Sequence, residues 1–225
     1  MTMAQQLGLA LPSRAALGRD DFFVAPSNAI AAAMIDGWRT WAGRKLALTG
    51  PPGSGKTHLT HVWATQSGAR IIQARDLLRA DIPDLARSCV AVEDVPLIAR
   101  HAEAQTALFH LHNLVLAEGH SLLLTGAPAV AQWRLTLPDL ASRMQAAGAV
   151  ALEAPDDMLL TAVLAKLLAD RQLTPRPDLI PYLLPRMDRS FVAAGDLVAR
   201  LDAASLAQKK PVTRSLAAQV LDNRT

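Results

Sequence analysis

Short apolar runs recur along the first two thirds of the chain and are bridged by longer stretches of helical period. The runs at 45–49, 69–73, 88–92 and 121–125 read as strands. Leu122-Leu123-Leu124 is apolar without a break, as expected of a strand covered on both faces of a parallel sheet. Between the runs lie helical stretches at 56–66, around 74–80, and at 102–117. Strands separated by helices predict an α/β fold, a parallel sheet flanked by helices. Ahead of it, the alanine-rich stretch 26–41 predicts a helix with Ser27 or Asn28 as its cap and Gly43 as its stop.

The pattern changes at both ends. Residues 1–20 lack sustained periodicity and contain Pro12, Ser13 and Gly18, so they read as a flexible arm carrying a short linear motif. From Pro155 onward, amphipathic stretches at 156–170, 179–184, 191–206 and 213–221 follow one another with no strand between. The expected division is an arm at 1–20, an αβα core at 21–154 and a small all-α lid at 155–225. No internal repeat or low-complexity segment interrupts it.

Composition narrows the function classes. A chain of 225 residues, 51% hydrophobic, has ample core material for a domain of ~150 residues plus a smaller one. No apolar stretch approaches the ~18 residues of a membrane span, and Gln5-Gln6 without a basic region does not resemble a secretory signal. A cytoplasmic protein is expected. Cys89 is the single cysteine, which excludes a disulfide framework and a cysteine metal site; it reads as a small core residue. The net charge is +3 with Lys and Arg scattered, which argues against a dedicated DNA-binding surface, and Lys209-Lys210 reads as a solvated loop.

The chemistry is concentrated in Gly50-Pro51-Pro52-Gly53-Ser54-Gly55-Lys56-Thr57, a complete G-x-x-x-x-G-K-T match followed by His58. It follows an apolar run and opens a helical one, the context a phosphate-binding loop requires. Glycines let successive backbone N–H groups turn inward toward phosphate oxygens, and the helix N-terminus adds partial positive charge. Lys56 is expected to reach the β- and γ-phosphates of ADP or ATP, and Thr57 to supply a hydroxyl to Mg²⁺.

Glu93-Asp94 ends the third apolar run. A nucleotide site needs a carboxylate there to hold Mg²⁺ through its water shell and orient the attacking water. Glu93 is then the metal-side acid and Asp94 the base or water-positioning group; the alternative is two solvated acids at a strand exit. Arg143, in Leu137-Pro138-Asp139-Leu140-Ala141-Ser142-Arg143, is either a solvated charge or a finger for a neighbour's γ-phosphate. In the arm, Gln6-Leu7-Gly8-Leu9-Ala10-Leu11 sets leucines at every second position. Such a peptide can lay Leu7, Leu9 and Leu11 into an apolar groove with Gln6 as anchor, or pack on its own domain.

Together these residues resemble the AAA+ ATPases, and within them the DnaA-related regulators of Hda type. The likeness covers nearly the whole chain and rests on residues 50–57, Val92-Glu93-Asp94-Val95, Leu122-Leu123-Leu124-Thr125-Gly126, the segment ending at Arg143, and Arg186-Met187-Asp188-Arg189 in the lid. Gln6 to Leu11 is similar to that family's Q-L-x-L-x-L peptide for the replicative sliding clamp, the β subunit of DNA polymerase III. The resemblance implies a nucleotide-carrying protein, tethered through the clamp to the nucleoid, that promotes hydrolysis of ATP on DnaA and so prevents re-initiation. Arg143 would complete the DnaA site in trans.

The resemblance also has departures. Glu93 stands where Asp is usual, Gly126-Ala127-Pro128 where initiators carry a polar sensor, and Val192 where the second sensor arginine aligns. Its own ATPase is therefore expected to be weak or absent. The chain ends with the lid, so direct sequence-specific DNA binding is not expected, while a homodimer is compatible. A motor or helicase-loader ATPase is the competing reading, and a small-molecule kinase is disfavoured by the all-α C-terminal region.

Overall fold

The computed structural model describes residues 22–222. Five strands, β1 (Lys45–Thr49), β2 (Arg70–Gln73), β3 (Val90–Glu93), β4 (Leu122–Gly126) and β5 (Gly148–Ala151), form one parallel sheet in the order β2-β3-β4-β1-β5. The expected α/β class is borne out. β1 lies inside the sheet between β4 and β5, and its five residues are all buried. The chain leaves β1 for β2 at the far edge, which opens a crevice at the strand's C-terminal end where ligands of such sheets bind.

Strand alternation divides the core into two clusters. Ala47, Val90, Val92, Leu122 and Leu124 join Leu108, Leu111 and Val115 of α4 (Ala102–Ala117) and Leu140 and Met144 of α5 (Pro138–Gln145). Leu46, Leu48, Ala91 and Leu123 join Ile35 of α1 (Ala29–Asp36) and Leu59, Val62 and Trp63 of α2 (Lys56–Ser67) on the other face. Neighbours in sequence fall into different clusters because successive strand side chains point to opposite faces. Trp41 stacks on Trp63 with ring centroids 5.3 Å apart. The short α3 (Ile82–Leu85) lies in the connection from β2 to β3.

A third cluster belongs to the C-terminal helices α6 (Asp157–Asp170), α7 (Leu179–Leu183), α8 (Phe191–Gln208) and α9 (Arg214–Asp222). Leu160, Leu164, Leu183, Val198 and Ala217 are at its centre. No helix among the described residues is long and apolar enough to cross a membrane.

Two local readings need correction. Helix α1 covers Ala29–Asp36, not 26–41, because Asn28 turns its side chain backward: Oδ1 accepts from Ala25 N at 2.8 Å and Nδ2 donates to Phe23 O at 2.8 Å. Gly37 then stops the helix, its N–H donating to Ala33 O at 2.9 Å. Strand β5 had no sequence signal of its own, since Gly148-Ala149-Val150-Ala151 has neither a run of strong strand formers nor alternation. It forms because β1 offers it a ladder, Leu46 opposite Gly148 through Thr49 opposite Ala151.

Candidate functional site

The phosphate-loop residues stand where β1 ends and α2 begins. Gly50, Gly53 and Gly55 have φ of 150°, 72° and 99°, values that L side chains rarely adopt. A Cβ on Gly50 would lie 2.6 Å from Leu152 O, so the loop is also pressed against the end of β5. Pro51, Pro52 and Thr57 are exposed, and Ser54 is buried with an Oγ that has no hydrogen-bond partner among the described residues. Lys56 Nζ donates to Gly50 O at 2.7 Å and Pro51 O at 2.9 Å. Burial holds this ammonium below the usual lysine range, an effect partly opposed by the charges of Asp94 and Glu93. His58 packs edge-on against Phe22, ring centroids 5.2 Å apart.

The acid pair is brought to the same end of the sheet. Glu93, 4% exposed, is the last residue of β3, and its Oε2 accepts from Gln73 Nε2 of β2 at 2.9 Å. Asp94 adopts the left-handed conformation, φ 56° and ψ 45°, and donates its N–H to Thr125 Oγ1 at 3.1 Å. A non-glycine residue in that region is held there by its surroundings. Gln73 and Thr125 were missed by the sequence reading; a lone hydroxyl closing the apolar run Leu122-Leu123-Leu124 was the available signal. The glycine at 126 has a packing reason, since a Cβ there would meet Trp133 Nε1 at 2.8 Å and Pro96 at 2.9 Å.

The N-terminus of α8 rests on the loop. Phe191 N donates to Gly53 O at 2.9 Å, a Cβ on Gly53 would meet Ser190 Cβ at 2.5 Å, and one on Gly55 would meet the Phe191 ring at 2.8 Å. Ser190 also caps its helix, Oγ accepting from Ala193 N at 3.1 Å. Val192, the residue aligned with a sensor arginine, is 62% exposed.

Arg143 is elsewhere. It lies in the last turn of α5, exposed, and its carbonyl accepts from Lys45 Nζ at 2.9 Å at the N-terminal end of β1. The phosphate loop is at the other end of that strand, about 13 Å away at the usual rise per residue. The structure therefore groups residues 50–58, Glu93 and Asp94 but separates Arg143 from them. Gln6, Leu7, Leu9 and Leu11 lie outside the described residues. No group of three or more His, Cys, Asp or Glu that could hold a metal occurs among the described residues.

This sheet order, with a phosphate-type loop after an interior strand and helices following the sheet, defines the AAA+ fold. No protein-family model matches the chain. Among solved structures it is similar to domain III of the replication initiation protein DnaA from Thermotoga maritima, with a TM-score of 0.81 and 19% identity over 95% of this chain and 98% of that one. It is similar to AMPPCP-bound DnaA from Aquifex aeolicus, with a TM-score of 0.70 and 19% identity over 84% of this chain and 65% of that one. A third likeness is to a variant of Thermotoga maritima RuvB, with a TM-score of 0.68 and 16% identity over 90% of this chain and 70% of that one. At these identities the likeness is one of fold.

Proposed function

We propose that this chain is a nucleotide-binding AAA+ regulator that supplies Arg143 to the ATP site of a DnaA-type initiator, while Gln6, Leu7, Leu9 and Leu11 hold it to the sliding clamp. The observation that carries the reading is the placement of Arg143: exposed, at the opposite end of β1 from the chain's own phosphate loop. An arginine so placed is available to a phosphate on another molecule. The fold's likeness to DnaA domain III supports a partner of matching architecture.

The residues of the loop fit a nucleoside phosphate. Three glycines hold backbone conformations that curl the loop, Ser54 Oγ is buried without a partner among the described residues, and Lys56 Nζ is held by the loop's own carbonyls. Residues 50–57 would hold the phosphates of ADP or ATP, and Thr57 with Glu93 would hold Mg²⁺, which neutralises phosphate charge. In the chain's own site, Gly126 and Val192 offer no polar group toward a γ-phosphate, so its intrinsic turnover is low. On the initiator, the Arg143 guanidinium stabilises charge gathering on the transferred phosphoryl oxygens, an effect worth about 10³–10⁵ in rate for arginine fingers.

The test is hydrolysis of DnaA-bound ATP on clamp-loaded DNA, with this protein, without it, and with Arg143→Ala. Stimulation that disappears in Arg143→Ala is expected. Rapid ATP turnover by this protein alone, with no effect on the initiator, would replace the reading with a motor or loader ATPase.

A further inference from the structure

Lys45 is a lysine in the first position of a strand that is otherwise apolar or hydroxyl-bearing, and it is only 9% exposed. Its ammonium donates to the backbone carbonyl of Arg143 at 2.9 Å and meets His112 Nε2 of α4 at 3.3 Å, both uncharged acceptors. His112 is itself buried, with Nδ1 3.1 Å from Asn113 Oδ1. Burial pushes both His112 and Lys45 down, and Arg143 adds to the effect on each. His112 is thereby kept neutral, able to accept from the ammonium. A buried cation among neutral acceptors is a poor contributor to stability, and an apolar residue would pack there at lower cost.

The other end of Arg143 is held as well. Its guanidinium lies over the Phe109 ring, 5.2 Å from the centroid, and Phe109 is one turn before His112 on α4. The start of α5 is fixed from the same helix, where fully buried Gln105 accepts from Thr136 N at 2.8 Å and Leu137 N at 2.9 Å. Helix α5 is thus tied to α4 and β1 at both ends, and Arg143 is the residue of it that these contacts grip at both backbone and side chain.

We infer that Lys45 and Phe109 are positioning residues for Arg143: the ammonium fixes its carbonyl in the last turn of α5, and the ring fixes the direction in which the guanidinium is presented. The inference rests on the reading of Arg143 as a group acting on a second molecule. A side chain that must meet a phosphate inside another protein is useful only if its direction is set beforehand, since a 1 Å misplacement of a catalytic group costs about 100-fold.

Two measurements test it. In the first, the Arg143 Nε–Hε signal is followed by NMR, assigned through its loss in Arg143→Lys. It is expected upfield because of the Phe109 ring, to return downfield in Phe109→Leu, and to move in the same direction in Lys45→Met. In the second, stimulation of DnaA-bound ATP hydrolysis is titrated with each variant. Lys45→Met should lower the maximal rate by about tenfold to a hundredfold with the half-saturating concentration unchanged. Phe109→Leu should lower it and Phe109→Tyr restore it, a rescue that loss of packing alone would not show. An Arg143 signal unmoved in Lys45→Met overturns the positioning role whether or not the initiator responds. Full stimulation by Lys45→Met where Arg143→Ala has none overturns it too. If the signal moves as expected and Arg143→Ala stimulates normally, positioning stands and the proposed function falls.

Discussion

Replacing Gly53 by Ala perturbs the loop and the helix that rests on it together. At φ 72°, a Cβ costs about 1–2 kcal/mol in left-handed strain. The same Cβ would sit 2.5 Å from Ser190 Cβ, so α8 is forced away and Phe191 N loses its bond to Gly53 O, about 1 kcal/mol more. The sum, about 2–3 kcal/mol, lowers Tm by about 5–10 °C for a chain of this size. Ser190→Gly removes the atom that the new methyl strikes, at a helix cap where glycine costs only about a few tenths of a kcal/mol. The double variant should therefore regain about 1 kcal/mol relative to the sum of the single changes while keeping the strain. Scanning calorimetry on the four proteins reads the cycle. A Gly53→Ala variant within about 0.5 kcal/mol of the parent, or a double variant showing no coupling, would refute the contact between α8 and the loop.

Lys56→Ala should weaken ADP binding and abolish the rise in melting temperature that ADP gives the parent, which is about 2.7 kcal/mol of stabilisation at 100 times Kd; thermal shift measures both. Burial, with the charges of Lys45 from β1 and Arg143 from α5, holds His112 below its ordinary value of 6.5, an effect partly opposed by its hydrogen bond with Asn113 on the same helix. The unfolded chain then binds the proton first, so stability falls as pH drops below 6.5, and urea midpoints of His112→Gln should lose that part of the slope. Gln105→Leu deprives Thr136 N and Leu137 N of their acceptor and should destabilise by about 2–4 kcal/mol, read by urea unfolding.

The parts of the fold legible in the sequence are those whose signal is local. Buried parallel strands announce themselves as unbroken apolar runs, and the glycines of residues 50–55 announce a loop because their backbone angles are open to almost no other residue. What escaped is set by tertiary context. Strand β5 is made by the neighbouring edge of β1, and the length of α1 is set by where Asn28 directs its side chain. At the candidate site, Gln73 and Thr125 act through contacts across 20 and 31 residues of chain. Nothing in a one-dimensional pattern separates such a residue from any other polar group near a strand end.

The placement of the polar groups also bears on how an activity could be divided between molecules. Loop and acid pair gather at the C-terminal ends of the strands, where the N-terminus of α2 offers its partial positive charge to an anion. Arg143, at the opposite end of β1, is held by buried Lys45 at its carbonyl and by Phe109 at its guanidinium, while buried Gln105 accepts from Thr136 N and Leu137 N ahead of α5. A buried polar group is costly without partners, and here Lys45 and Gln105 each make a bond that restrains α5 or the residues leading into it. An arginine needed only as a solvated charge would require none of this. Under the function proposed above, the length of β1 separates Arg143 from the chain's own phosphate loop, and the phosphate it acts on would be one carried by another protein.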